Sequence, residues 1–150
     1  MTSYIPEAKE SSSIAMQKVA EAKLFDFLPS MFGKYYLLGE SVVYSTMRDL
    51  CSSYSGGHWE YFDLTNGGRF MRLSSDAELE VSVTGNYFQE RISCEGACLI
   101  VNLLVLGRLG ESILDRGDED AAEHLFNQRD LLMDFARTHG ESEKIMRAID

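Results

Sequence analysis

The spacing of apolar positions along this 150-residue chain changes period twice. From residue 14 to 27, Ala15, Val19 and Ala22 recur at helical spacing, with Asp26 on the same face. Serines precede this run as caps, and Pro29 and Gly33 end it, so a helix is predicted. In "YYLLGESVVYSTMRDLCSSY" the recurrence of Val43, Met47 and Leu50 predicts a second helix over residues 40–51.

The pattern then turns extended. "HWEYFDL", residues 58–64, is rich in residues that suit strands. Asn66-Gly67-Gly68 follows as a hairpin signal, because these residues tolerate the positive φ of a tight turn. "AELEVSVTG" alternates strictly: Leu79, Val81 and Val83 point to one face, Glu78, Glu80, Ser82 and Thr84 to the other. Gly85-Asn86 makes another turn, and "YFQERIS" is either a fourth short strand or an irregular connector.

Helical spacing returns for the rest. Residues 94–114 are apolar nearly all round, broken only by Asn102, which is the pattern of a core helix. Residues 118–139 are amphipathic, with Ala122, Leu125, Phe126, Leu132, Met133 and Ala136 as the inner stripe and Gly140 closing the helix. Ile145, Met146 and Ile149 predict one last short helix. The class is therefore α+β: a small antiparallel sheet of three to four strands flanked by about four to five helices. Residues 1–13, with Pro6 and Ser11–Ser13, read as a flexible tail, and residues 14–150 as a single domain.

Composition narrows the function classes. At 45% hydrophobic and 25% charged the chain is an ordinary globular one, long enough to stand without disulfides or a structural metal. The N-terminus has no basic segment leading into an apolar run, and the apolar stretch 97–107 is short for a bilayer span, so a cytoplasmic protein off the membrane is expected. Three cysteines fit a reduced compartment. Cys94 and Cys98 can share a helix face but make a poor zinc site alone. A net charge of −10 argues against direct nucleic-acid binding, which needs a basic surface. It leaves solubility, or a surface that competes with DNA for a basic protein. Residues 111–150 carry a net −6, but the 24 acids are mixed among 14 bases, which weakens strict mimicry.

Candidate chemistry is sparse. No G-x-S-x-G is present, and Ser55 near His58 lacks an oxyanion-hole signature. "SGGHW" and "NGGRF" lack the lysine and hydroxyl of a phosphate loop, so both glycine pairs read as turns. His58, His124 and His139 are scattered, with His124 on the polar side of its helix and His139 in the last turn, where a cation complements the dipole. Asp118 can be a helix N-cap, with Glu119 and Asp120 in the favourable first turn, and the same run can serve as a partner surface. No catalytic residue, metal or cofactor is expected.

The order of segments is more specific. "DFLPSMFG" leads to "MRDLCSSYSGGHWEYFDLTNGGRFM", then "GNYFQERISCEGA" and "LVLGRL", and the chain ends "MDFARTHGESEKIMRAID". From about residue 24 to 150 this resembles the KlcA/ArdB antirestriction family of plasmids and other mobile elements. The most specific mark is the stretch containing Tyr54, Gly56, Gly57, Trp59, Asn66, Gly67 and Gly68. Arg69 intervenes where the family has an aromatic, and Ser93-Cys94-Glu95-Gly96-Ala97-Cys98 stands where it has S-A-D-A-A-G. The resemblance implies a non-enzymatic inhibitor of type I restriction–modification enzymes. It would protect incoming DNA while leaving methylation largely intact, by direct or indirect action on the restriction complex. Glu95, Glu111, Asp115, Asp118, Glu119, Asp120 and Glu123 are the acidic groups expected on a partner-binding surface. The alternative is an acidic DNA mimic directed at a DNA-binding enzyme.

Overall fold

The structure, a computed structural model, describes residues 13–150. Apart from Ser13, the expected tail lies outside the described residues. The elements run β1 (Met16–Lys18), α1 (Leu24–Phe32), α2 (Tyr36–Leu50), β2 (Trp59–Leu64), β3 (Arg69–Leu73), β4 (Glu78–Val83), β5 (Phe88–Ser93), α3 (Cys94–Asp115), α4 (Glu119–Thr138) and α5 (Ser142–Ile149). Single 3₁₀ turns precede α1, α2 and β5. The α+β class and the helical second half match the reading of the sequence.

The first expected helix is the main departure. Residues 16–18 form an edge strand, antiparallel to β2 with Met16 opposite Leu64. Ala15 and Ala22 are exposed, so the apparent helical face had little to bury. The edge of β2, by contrast, offered hydrogen bonds: Val19 N–H donates to the Tyr61 carbonyl (2.8 Å) and Thr65 N–H to the Ala15 carbonyl (3.0 Å). Backbone groups at a sheet edge outweighed a weak amphipathic pattern. The helix itself starts at Leu24 and carries Pro29 inside, on its exposed side, where water can reach the carbonyl that loses its partner. Gly33 ends it at φ +67°.

The strands divide into two sheets, β1-β2-β3 and the hairpin β4-β5. "YFQERIS" is a strand, with Phe88 opposite Val83 and Ile92 opposite Leu79. Leu79, Val81 and Val83 are buried as their alternation requires. At the β4–β5 turn the left-handed residue is Tyr87 (φ +63°), not Gly85. Asn86 sets that turn, since its Oδ1 accepts from Phe88 N–H (3.0 Å) while its amide donates to the last carbonyls of α5.

Helix α3 is the centre of the molecule. By length and composition it could cross a membrane, but 14 of its 22 residues are buried by the rest of the chain. Its one polar core residue, Asn102, has a specific task. Bonds from Leu64 N–H to Gly68 and from Ser74 N–H to His58 fix the hydrogen-bonded pairs of β2 and β3. By alternation, Met71 and Leu73 turn their backbone groups away from β2. Asn102 Oδ1 accepts from Met71 N–H (3.0 Å) and its Nδ2 donates to the Met71 carbonyl (2.8 Å). One helical turn earlier, Cys98 Sγ accepts from Leu73 N–H (3.3 Å), and Cys94 Sγ donates to the Leu73 carbonyl (3.4 Å). Residues 94, 98 and 102 thus stand in for a missing fourth strand. Burial pushes the Cys51 thiol up to about 11, and the hydrogen bond with Cys94, then burial, raises Cys98 well above the ordinary range, so these two hold their protons as neutral packing groups.

Helix α4 starts at Glu119 with Asp118 as its cap, the Asp118 carboxylate accepting from Ala121 N–H (3.3 Å). It closes at His139, which takes an extended conformation, and Gly140 is not the left-handed closer expected. Phe135 on α4 stacks on Phe70 of β3 (centroids 5.9 Å), and Phe70 on Phe62 of β2 (5.4 Å), which joins helix and sheet in one core.

Candidate interaction surface

The stretch from Tyr54 to Gly68 is built as architecture. Gly56 and Gly57 release the chain from α2 into β2 at φ +103° and +144°, and a Cβ on Gly57 would stand 2.8 Å from Leu73. Trp59 is buried, with its Nε1–H donating to the Tyr54 hydroxyl (3.2 Å) and its ring against Tyr44 (5.4 Å). At the hairpin tip Asn66 Oδ1 accepts from Gly68 N–H (2.9 Å), and its amide donates to the Leu131 carbonyl of α4 (2.9 Å). The turn is thereby docked onto a helix 65 residues away in sequence. Ser55 and His58 are exposed, and no hydrogen bond joins them among the described residues. His124, expected on a polar face, is half-buried with its Nε2 2.9 Å from the Ser30 carbonyl.

The seven acidic candidates do not form one site. Glu95 stands at the start of α3 and Asp115 at its end, roughly 30 Å apart along a helix of 22 residues. Glu111, Asp115, Glu119, Asp120 and Glu123 are exposed around the α3–α4 turn. Asp118 is half-buried and engaged, bridged by Lys34 (2.6 Å) and by the Tyr35 hydroxyl (3.0 Å), which hold its carboxyl below the usual range.

Glu95 belongs to an internal charge network. His139 Nε2 lies 2.8 Å from Glu95 Oε2, Arg72 Nη1 lies 2.7 Å from Oε1, and Arg72 Nη2 reaches Glu60 (3.1 Å), which also holds Lys18 (2.7 Å). His139 Nδ1 accepts from Glu141 N–H (3.1 Å), so the proton of the neutral ring sits on Nε2 and is donated to Glu95. Glu141 in turn accepts from Ser93 N–H (3.0 Å) and Ser93 Oγ–H, placing a carboxylate at the N-terminus of α3. A Cβ on Gly96 would lie 2.5 Å from that carboxylate, which gives a spatial reason for glycine at this position.

His139 first, then Arg72, holds the Glu95 carboxyl below its ordinary value. The folded pKa is depressed, so this stabilisation is full above the ordinary carboxylate range and fades as pH falls through the lowered value. Glu95→Gln is expected to cost about 1–3 kcal/mol at pH 7. That difference should shrink toward zero in acid, which urea titrations at neutral and low pH would read.

On the opposite side of α3 a recess of about 610 Å³ runs between α3 and α4 to the end of α5. Its floor includes Leu104, Met133 and Ile149, and its rim carries Arg108, Arg129 and Arg137. A second recess of about 400 Å³ shares Met133, Arg137 and Ile149 and adds Met146 and Arg147. Of the acidic candidates only Glu111 lines the first. Sequence reasoning missed this surface because its residues come from three helices. The available signal was Arg129, Met133 and Arg137, four apart on one stripe of α4.

Residues 52–150 match the protein family described as Antirestriction protein. Two proteins from Escherichia coli, each named Antirestriction protein KlcA, are 36% and 37% identical to this chain, covering 94% and 93% of it and 98% and 95% of their own lengths. A solved structure 39% identical superposes with a TM-score of 0.81 over 91% of this chain and 95% of its own. It comes from work on KlcA and ArdB proteins reporting a novel fold and antirestriction activity against type I DNA restriction systems in vivo but not in vitro. Fold and motif together define a small α+β antirestriction domain. The chain belongs to the antirestriction protein family of KlcA and ArdB.

Proposed function

We propose that this protein relieves type I restriction in the bacterial cytoplasm and so protects incoming plasmid or other mobile-element DNA. It does so without catalysis of its own and without abolishing methylation. The observation that carries this reading is the likeness, at 39% identity and across nearly the whole chain, to a structure from proteins with type I antirestriction activity in vivo. That such activity is seen in vivo but not in vitro favours a route that depends on cellular partners, with the restriction complex affected directly or indirectly.

The dispersal of the acids favours this over DNA mimicry. Glu60, Glu90, Glu95 and Asp118 are bound to cations, and the carboxylates around the α3–α4 turn that have no ion pair among the described residues share their surface with Arg116. A mimic needs an unbroken run of charge. Unmodified phage plated on cells carrying a type I system should form more plaques when this gene is expressed, while phage released from those cells remain fully modified. Equal plating would refute the proposal, and loss of modification alongside restriction would favour mimicry.

A further inference from the structure

Cys94 and Cys98 do more than fill space beside β3. Cys98 Sγ accepts from Leu73 N–H and Cys94 Sγ–H donates to the Leu73 carbonyl, so both sulfurs are held on one residue. They are also hydrogen-bonded to each other. In the neutral form the bonds run in a ring: Leu73 N–H to the Cys98 sulfur, the Cys98 S–H to the Cys94 sulfur, and the Cys94 S–H to the Leu73 carbonyl. Cys51 is buried as well, but its thiol makes no hydrogen bond among the described residues.

The pair is asymmetric. Cys94 is the first residue of α3, where the helix dipole favours a thiolate, and Ser93 caps the same turn. The Cys98 thiol donating to it, and then the Arg72 guanidinium, hold the Cys94 thiol below its ordinary range against the opposing effect of burial. Cys98 keeps its proton. One sulfur is thus prepared to attack an electrophile, and a second stands in contact to resolve the product. Both are buried, so only a small oxidant can reach them. A recess of about 480 Å³ lined by Tyr54, Gly57, Leu73 and Leu79 leads to the residue that both thiols hold.

We propose that Cys94 and Cys98 are a redox pair, oxidised by hydrogen peroxide to a disulfide that releases the end of β3. The Cys94 thiolate attacks one peroxide oxygen, the O–O bond breaks, and the departing hydroxide takes up the proton that Cys94 gave up. The Cys98 sulfur then attacks the sulfur of the resulting sulfenic acid. The S–O bond breaks, the S–S bond forms, and the Cys98 proton leaves with the hydroxide as water. Two thiols lose two electrons and two protons, and one peroxide becomes two waters.

The disulfide has no S–H, so the Leu73 carbonyl loses its donor. Cβ atoms one helical turn apart lie about 5–6 Å from each other, and a disulfide draws them to about 3.5–4.5 Å, so the first turn of α3 must yield. Strained disulfides are readily reduced, which suits a reversible switch better than a permanent bridge. Leu73 is the cross-strand partner of Trp59, and Ser74 N–H beside it donates to the His58 carbonyl (2.8 Å). Loosening β3 at Leu73 therefore reaches the one tryptophan of the chain. None of this depends on the antirestriction reading.

The test treats the reduced full chain with hydrogen peroxide, quenches with catalase, alkylates under denaturing conditions and maps the thiols by mass spectrometry. Of the three thiols two should be lost together, with a disulfide joining residues 94 and 98 and Cys51 still alkylated. Cys94 should react at least about tenfold faster than Cys51. Trp59 emission should shift to the red and Tm should fall over the same time course, and dithiothreitol should restore both. In the variant Cys98→Ser the reaction should stop at a Cys94 sulfenic acid that dimedone traps. In Cys94→Ser, Cys98 should stay reduced. Oxidation at Cys51 first, bridges between chains, or three intact thiols at a dose that consumes free cysteine would overturn the pair. A 94–98 disulfide with Trp59 emission and Tm unchanged would overturn its coupling to β3. The wild-type chain alone decides these outcomes, so a variant that fails to fold leaves the test intact.

Discussion

Replacing Asn102 with leucine is expected to destabilise the protein by about 3–5 kcal/mol, although leucine is the commoner residue in such a helix and matches the buried surroundings. Asn102 is fully buried and satisfies both the N–H and the carbonyl of Met71. Leucine removes both partners at once and leaves two backbone groups in a dry core, each costing about 1–3 kcal/mol. Its extra apolar bulk does not offset this, because the position is already filled. Urea unfolding should show a lower midpoint with an unchanged slope. A loss below about 1 kcal/mol would mean that water reaches the outer edge of β3.

Truncating Trp59 to alanine is expected to cost roughly 3–5 kcal/mol. The indole is buried between Tyr44 and Tyr54, and its N–H is satisfied by the Tyr54 hydroxyl. Alanine would open a cavity where α2, β2 and the loop after α2 meet, and would leave that hydroxyl without its donor. Thermal unfolding should read this as a drop in Tm of about 6–20 °C, at roughly 2–4 °C per kcal/mol for a chain of this size. Trp59→Phe keeps most of the bulk and should recover more than half of the loss.

These two residues also show what was legible in the sequence. Trp59 and its glycine-rich neighbours stood out by composition, and their role as a turn and a strand was readable from turn chemistry alone. Asn102 was visible only as an interruption in an apolar run. Nothing local says that a helix side chain will face an unpaired strand edge. That Cys94 and Cys98 share a helix face was legible in their spacing, but their bonds to Leu73 depend on where β3 lies.

The misread segment was β1. Residues 14–27 carry a helical spacing of small residues, and the decisive partner, β2, lies more than forty residues away. In the second sheet β4 followed from strict alternation, β5 was legible only as a strand or an irregular connector, and their separation from the first sheet did not follow at all, since period fixes faces and not neighbours. For the candidate surface, charge pointed to the acidic turn at Asp118, where the carboxylates were easy to count. The recess bounded by α3, α4 and α5 emerges only when three helices are brought side by side.

The side-chain ladder from α3 to β3 has a consequence for how this molecule can associate. Open sheet edges invite a strand from another chain to add on. Here the β3 edge is occupied by Asn102, Cys98 and Cys94, and the far edge is the three-residue β1, which ends in Lys18. The three-stranded sheet is closed to backbone pairing along β3 and nearly so along β1. Association through this sheet would have to use its side chains and not its backbone, which removes one route to strand-paired aggregates.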